Sequence, residues 1–170
     1  TGLAGQPVVT NTVDGRGTLT FQGTGLTQTL AGAQIVTGGL GSAGLGLKQI
    51  NIGSAAINNY TFVKINGDVY AQNVSLNSGS TAGTDSTLIL GKGYNLTATN
   101  ITTDASGMGN LVLEGRTQIV DAVIGDPNAR LNKVSSGAGT LVGDISPAQS
   151  TFKQQVYAVT VENTGNGSTT

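Results

Sequence analysis

A short sequence unit recurs along the chain between Gly, Asn, Ser and Asp residues. It consists of a small residue followed by alternating apolar positions. It occurs at residues 17–21 (GTLTF), 86–90 (STLIL), 109–113 (GNLVL) and 139–142 (GTLV). A period of two places the apolar side chains on one face of a β-strand, and helical periodicity is scarce. The sequence therefore predicts an all-β chain.

Alternation and β-branched residues together define nine predicted strands. These are residues 17–21, 47–52, 60–65, 68–76, 87–90, 94–102, 110–113, 116–123 and 152–161. Charged residues make up only 10% of the chain, but the net charge of −1 and the many Val, Ile and Thr residues favour a folded chain over a disordered one. We expect a single surface domain spanning residues 1–170.

A longer and weaker similarity relates two parts of the chain. Residues 17–23 resemble 109–115, and three shorter pairs follow in the same order: 47–50 and 131–134, 61–62 and 151–152, and 69–71 and 156–158. They suggest a degenerate duplication of about 17–76 and 109–161. Repeats of this kind suit a solenoid, in which each coil buries its apolar face against its neighbours. A β-helix is the first predicted fold.

One dipeptide favours a different architecture. Asn66-Gly67 lies between two predicted strands, and this pair is the strongest short-range signal for a β-hairpin. Hairpins are typical of sandwiches and meanders. The alternative fold is therefore an antiparallel β-sandwich whose exposed edge exchanges a strand with the next subunit.

The absence of His and Cys excludes the usual Ser-His-Asp and Cys-His nucleophile systems and imidazole-thiolate zinc sites. The carboxylates are scattered, mostly beside turn-forming residues. We predict no enzyme activity and no catalytic, cofactor-binding or metal-binding residue. The best enzymatic alternative is a carbohydrate-active β-helix enzyme, a polysaccharide lyase that would use Asp121, Asp126 and Arg130 because they lie close in sequence.

Other patterns indicate surface or packing roles. Residues 39–44 fit G-x-G-x-x-G, but more Gly and then alternation follow, so we expect a flexible surface loop and no dinucleotide site. Cross-strand or core packing is expected of the aromatic residues, which are Phe21, Tyr60, Phe62, Tyr70, Tyr94, Phe152 and Tyr157.

Charge and hydropathy limit the partners that we expect. The 8 basic and 9 acidic side chains leave no excess for phosphates, so no nucleic-acid partner is expected. No apolar run is long enough to span a bilayer. The sequence starts at Thr1, without an initiating Met and without the charged and apolar segments of a signal peptide. We therefore expect a mature or excised segment.

Two stretches resemble a known family. Residues 86–103 (STLILGKGYNLTATNITT) and 65–74 (INGDVYAQNV) are similar to the passenger region of rickettsial outer membrane protein B and related surface-antigen autotransporters. The resemblance covers about half of the chain. It implies a β-helical protein on the bacterial surface that serves adhesion and surface-layer-like coverage. The similar segments are low-complexity scaffold sequence and contain no defined binding motif. No functional residue can therefore be transferred from the family to this chain.

Composition and resemblance together predict a noncatalytic extracellular protein of the bacterial cell surface, an adhesin-like autotransporter passenger module. Its expected partner is a host or neighbouring cell surface, or another copy of itself. The alternative is a self-assembling structural subunit of an extracellular filament, sheath or surface layer, because low charge gives little repulsion between strand edges.

Overall fold

The computed structural model describes residues 7–23, 33–54, 60–78, 85–137 and 149–163. These residues form strands and turns without a helix. The strands are β1 Pro7–Val9, β2 Arg16–Phe21, β3 Gln34–Val36, β4 Gly39–Leu40, β5 Leu47–Ile52, β6 Phe62–Ile65, β7 Val69–Leu76, β8 Thr87–Leu90, β9 Leu96–Thr103, β10 Met108–Leu113, β11 Ile119–Ile124, β12 Leu131–Ser136, β13 Thr151–Phe152 and β14 Ala158–Asn163.

The strands belong to two parallel sheets between which the chain alternates. The first sheet has the order β1-β4-β7-β9-β11-β13, with β2 beside β5 and β5 also joined to β7. The second sheet has the order β3-β6-β8-β10-β12-β14. From β7 onward each coil supplies one strand to each sheet, whereas in the first two coils the first-sheet strand is divided in two. The chain is therefore a β-solenoid, which confirms the predicted β-helix.

The core lies between the two sheets and is built from columns of aligned apolar side chains. In the second sheet Val63, Leu88, Leu111 and Val134 occupy the same register in successive coils. Each is fully buried. Each buried side chain of this size contributes about 1.5–3 kcal/mol relative to exposure. Two of the short alternating units, residues 86–90 and 109–113, thus supply core-facing strands to successive coils.

Polar residues form ladders that run from coil to coil. Gln49 Nε2 donates to Ser75 Oγ at 2.8 Å, and Ser75 Oγ lies 3.2 Å from Thr102 Oγ1. At a corner, Asp68 Oδ1 accepts the Asn95 N–H at 2.8 Å. Asn95 Oδ1 in turn accepts the Ile119 N–H of the next coil, also at 2.8 Å. Stacking satisfies these side chains, which explains the abundance of Asn, Ser and Thr.

Asn66-Gly67 does not form the hairpin that it suggested. The flanking strands β6 and β7 belong to different sheets, so the dipeptide is a corner of the solenoid. A Cβ on Gly67 would lie 2.1 Å from the backbone nitrogen of Gly39, in the neighbouring coil. Close approach of two coils, and not a type I′ turn, therefore accounts for this glycine. The antiparallel sandwich was the wrong alternative.

The predicted strands differ from the observed ones mainly at corners. Residues 152–161 were predicted as one strand but contain the turn between β13 and β14. β11 begins at Ile119, later than predicted, because Gln118 is buried at the preceding corner. The predicted strands omitted β1, β3, β4 and β12, and residues 139–142 lie outside the described residues.

The suggested duplication stays a prediction. Its two best-matching segments lie in different sheets, because residues 17–21 fall in β2 of the first sheet and residues 109–113 fall in β10 of the second. The strand pairings instead show a shorter structural repeat, one coil. Successive coils place Val63 beside Leu88 and Leu88 beside Leu111.

Candidate functional site

A cleft of about 360 Å³ lies on the outward side of the first sheet. We call it the loop cleft. Its wall is the loop of residues 41–46, between β4 and β5, together with Asp14 from the first coil. Its floor is formed by outward residues of β7 and β9. The side chains important for its chemistry are those of Asp14, Ser42, Tyr70, Gln72, Thr97 and Thr99.

The wall exists because the second coil contains extra residues. β7 is continuous and pairs with both β4 and β5, so residues 41–46 must leave the sheet beside it. The loop closes on itself: the Leu45 N–H donates to the Ser42 carbonyl at 2.9 Å. Gly41 has a φ of 70°, and a Cβ there would lie 2.4 Å from the Tyr70 carbonyl oxygen. Only glycine fits this approach.

A second loop fixes the wall from the other side. The Gly15 N–H donates to the Gly46 carbonyl at 3.0 Å, and the Gly46 N–H donates to Asp14 Oδ1 at 2.8 Å. These bonds join the loops of the first and second coils. The wall is therefore held by one bond between backbone groups and by one bond to the short Asp14 side chain.

The floor presents neutral polar groups and one aromatic ring. Tyr70 and Thr97 are aligned in register on β7 and β9. Gln72, Thr97 and Thr99 are exposed and Tyr70 is half-buried. Three neighbouring strands are hydrogen-bonded through this region, β7 to β9 and β9 to β11, so the floor is rigid.

Asp14 is the ionisable carboxylate of the loop cleft, and the described lining has no second carboxylate and no Lys or Arg. Glycoside hydrolysis generally uses two carboxylates on either side of the scissile bond. Among the residues that the structure describes, no group of three or more His, Cys, Asp and Glu side chains could hold a metal. The chemistry available in the loop cleft is hydrogen bonding and contact with an aromatic ring.

The residues of the enzymatic alternative have separate contacts. Gln154 and Lys153, at 3.3 and 3.2 Å, lower the pKa of the Asp121 carboxyl by hydrogen bonding to it. Asp126 Oδ1 accepts the N–H groups of residues 128 and 129 and so stabilises its own turn. The Arg130 N–H donates to the Ser106 hydroxyl at 3.4 Å. None of these contacts joins two of the three residues.

A second cleft of about 420 Å³ includes Lys64, Lys92, Tyr94 and Glu114. Lys64 Nζ lies 2.6 Å from one Glu114 carboxylate oxygen and 2.8 Å from the other. Both side chains are partly buried, and the pair connects β6 to the corner after β10 across the intervening β8. The pair therefore has a structural role, and any ligand in this cleft would compete with it.

Asp85 is the most deeply buried carboxylate among the residues that the structure describes, and it lies apart from both clefts. Burial raises its pKa, while hydrogen bonds from Asn110 and Asn132 act in the opposite direction. The Asn132 amide donates to Asp85 Oδ2 at 3.2 Å. Asp85 thus belongs to a polar ladder between coils.

Sequence reasoning did not identify the loop cleft. Tyr70 was expected to pack within the sheet, and residues 39–44 were expected to form a surface loop. Residues 39 and 40 instead form the buried strand β4, whereas residues 41–46 form a loop that is one wall of the cleft. Phe21, Tyr94 and Phe152 do pack against the core. The sequence signal available was a Gly-rich loop next to strands rich in Thr, but only the register brings them together.

Comparisons with protein-family models, with curated proteins and with solved structures found no match to this chain. The described residues include no helix that could cross a membrane. The features that bear on function are therefore the fold, the loop cleft and the resemblance of residues 65–74 and 86–103 to autotransporter passengers.

Proposed function

We propose that this chain is a noncatalytic, adhesin-like module of an extracellular bacterial surface protein, and that the loop cleft is its binding site. The observation that carries the proposal is the lining of this cleft, which offers hydrogen-bonding groups and one ring but a single carboxylate. The resemblance to autotransporter passengers supports the surface location. Binding without turnover is the function that fits both.

The fold supports this proposal because it holds the cleft ready to bind. The floor strands are paired on both sides, and the wall is fixed by the contacts of Asp14 and Gly46. A preformed site loses little conformational entropy when it binds a ligand.

The proposal predicts that blocking the loop cleft reduces cell attachment. In Thr97→Arg a long charged side chain enters the cleft floor, and we expect attachment to fall by about tenfold, the effect of losing about 1.4 kcal/mol of binding free energy. Attachment of beads carrying the purified chain to epithelial cells and to bacterial cells measures this effect. Thr18→Arg, at an exposed position on β2, is the matched control.

Circular dichroism of both variants would show that the fold is intact. Equal attachment of Thr97→Arg and Thr18→Arg would contradict the proposal, and so would an unmodified chain that attaches to neither cell type.

A second candidate function, a self-assembling structural subunit, is favoured by the ends of the solenoid. Among the described strands, β3 and β14 are the outermost of the second sheet, and each is paired along one edge. Val161 has the register of the buried Val134 but is 49% exposed. Ile35, on β3, and Val159, on β14, are each 62% exposed. Because all strands are parallel, a second copy stacked end to end would continue both sheets.

This candidate predicts that Val159→Lys prevents association of the chain with itself. Analytical ultracentrifugation over a range of concentrations should show polymers for the unmodified chain and monomers for this variant, because each stacked junction between β14 and the next copy's β3 would bury one unpaired Lys charge. Ile119→Lys is the control, since Ile119 lies on β11, between β9 and β13 and away from the ends. Monomers of the unmodified chain at every concentration would exclude this function.

A further inference from the structure

We infer that the loop cleft binds a neutral saccharide, with the Tyr70 ring as a stacking surface and the surrounding hydroxyl and amide groups as hydrogen-bond partners. The inference rests on the proposed function and names the chemical class of its ligand.

The charge of the cleft disfavours anionic ligands. Asp14 is its ionisable carboxylate, and the described lining supplies no Lys or Arg to neutralise a phosphate, sulfate or uronate group. An anion would therefore meet repulsion without a compensating ion pair. A bare metal cation is equally disfavoured, because it would find one carboxylate and no cluster of acidic ligands.

The sheet disfavours an extended peptide. Peptides commonly bind to sheets by adding a strand to a free edge. In the floor of the cleft, β7 pairs with β9 on one side and with β4 and β5 on the other, so its backbone groups are already used. A ligand here must be recognised through side chains and through the exposed loop.

The side chains of the cleft match a ligand rich in hydroxyl groups. Ser42, Thr97 and Thr99 each have a hydroxyl that both donates and accepts, and Gln72 adds an amide with both functions. Asp14 accepts the Gly46 N–H through Oδ1, and its other carboxylate oxygen can accept from a sugar hydroxyl. A sugar ring has hydroxyls at its edges and C–H groups on its faces, and the faces pack against an aromatic ring such as that of Tyr70.

The dimensions of the cleft suit a short saccharide. Its volume of about 360 Å³ is near the lower end of the range for small-molecule sites, about 300–1,000 Å³. The loop of residues 41–46 closes one side, whereas the floor continues along the column from Thr97 to Asp121 on β11. The cleft would therefore hold one end of a longer glycan and leave the remainder along the outer face of the sheet.

The second cleft has different chemistry. Its Lys64 and Glu114 charges are paired with each other, and Lys92 adds a further positive charge. Tyr94 packs partly against the core, which limits the ring area available to a ligand. Lys92 thus provides a control position for binding at the loop cleft.

The test is isothermal titration calorimetry, which measures the dissociation constants of neutral and anionic saccharide probes for the full chain. Lactose, maltotriose, cellotriose and chitotriose are the neutral probes, and digalacturonate is the anionic one. We expect at least one neutral probe to bind, and digalacturonate to bind more weakly. Tyr70→Ala should weaken binding of the neutral probe by about tenfold or more, whereas Tyr70→Phe, which keeps the ring, should change it by less than about threefold.

Lys92→Ala should leave binding of the neutral probe unchanged. The inference is overturned if no neutral probe binds at millimolar concentrations, or if Tyr70→Ala binds as well as the unmodified chain. Loss of cell attachment in Thr97→Arg without any saccharide binding would reject the ligand class and keep the surface-module function. Saccharide binding with attachment unchanged in Thr97→Arg would reject the surface-module function and keep the ligand class.

Discussion

Replacing Gln118 with Leu is expected to lower the free energy of unfolding by about 3 kcal/mol or more, because three backbone groups at a buried corner would lose the hydrogen bonds that this side chain supplies. The Gln118 side chain is 1% exposed and lies at the corner before β11. Its Nε2 donates to the carbonyls of Gly91 at 2.7 Å and Tyr94 at 2.8 Å, and its Oε1 accepts the Gly115 N–H. Leu has a similar size but makes none of these bonds.

Chemical denaturation followed by circular dichroism measures this loss. Gln154→Leu is the matched control, because Gln154 is exposed and its side chain donates only to Asp121, at 3.3 Å. The control should lose less than about 0.5 kcal/mol, as is usual for surface substitutions. Similar losses in the two variants would show that the corner does not depend on the Gln118 amide.

The role of Gln118 illustrates what the sequence could not show. Its partners, Gly91 and Tyr94, are 27 and 24 residues earlier, one coil away. Coil length varies: the second-sheet pairs are offset by 23 residues between Leu111 and Val134 but by 27 between Val134 and Val161. Without a constant repeat, the sequence alone cannot specify which residues stack. A polar residue beside an alternating run is then naturally interpreted as part of a strand.

Strands were predictable where alternation coincides with core burial. Residues 47–52 and 87–90 match β5 and β8 at both ends, because apolar side chains follow a Gly or Ser and point into the core. β12 was not predicted as a strand, because Ser135 and Ser136, which are also buried, occupy its last positions. Hydrophobic periodicity does not identify such buried polar positions as parts of a strand.

The candidate site was less predictable than the fold. Tyr70 and Thr97 are 27 residues apart and become neighbours only through the register of β7 and β9. Conversely, Asp121 and Asp126 are close in sequence, but the strand end at Ile124 separates them, and each has its own hydrogen-bond partners. In a solenoid, residues one coil apart share a surface more closely than residues a few positions apart on either side of a corner.

Gly125→Ala is expected to lower the free energy of unfolding by about 2–5 kcal/mol, through backbone strain and overpacking together. Gly125 has a φ of 67°, and a Cβ there would lie 2.3 Å from the Tyr157 carbonyl oxygen. That carbonyl accepts the Leu131 N–H, and the Tyr157 N–H donates to Ile124. The new methyl group would therefore push the last coil away from the fifth at the point where they are joined.

Gly93→Ala separates the two causes of this effect. Gly93 has a similar φ, 82°, but a Cβ there would have no atom within 4 Å. Its substitution should therefore cost only the backbone strain, about 1–2 kcal/mol. Hydrogen exchange of the β14 amides should accelerate in Gly125→Ala well before global unfolding and stay unchanged in Gly93→Ala. Equal destabilisation of both variants, with β14 protected in each, would mean that contact with Tyr157 does not limit the residue at position 125.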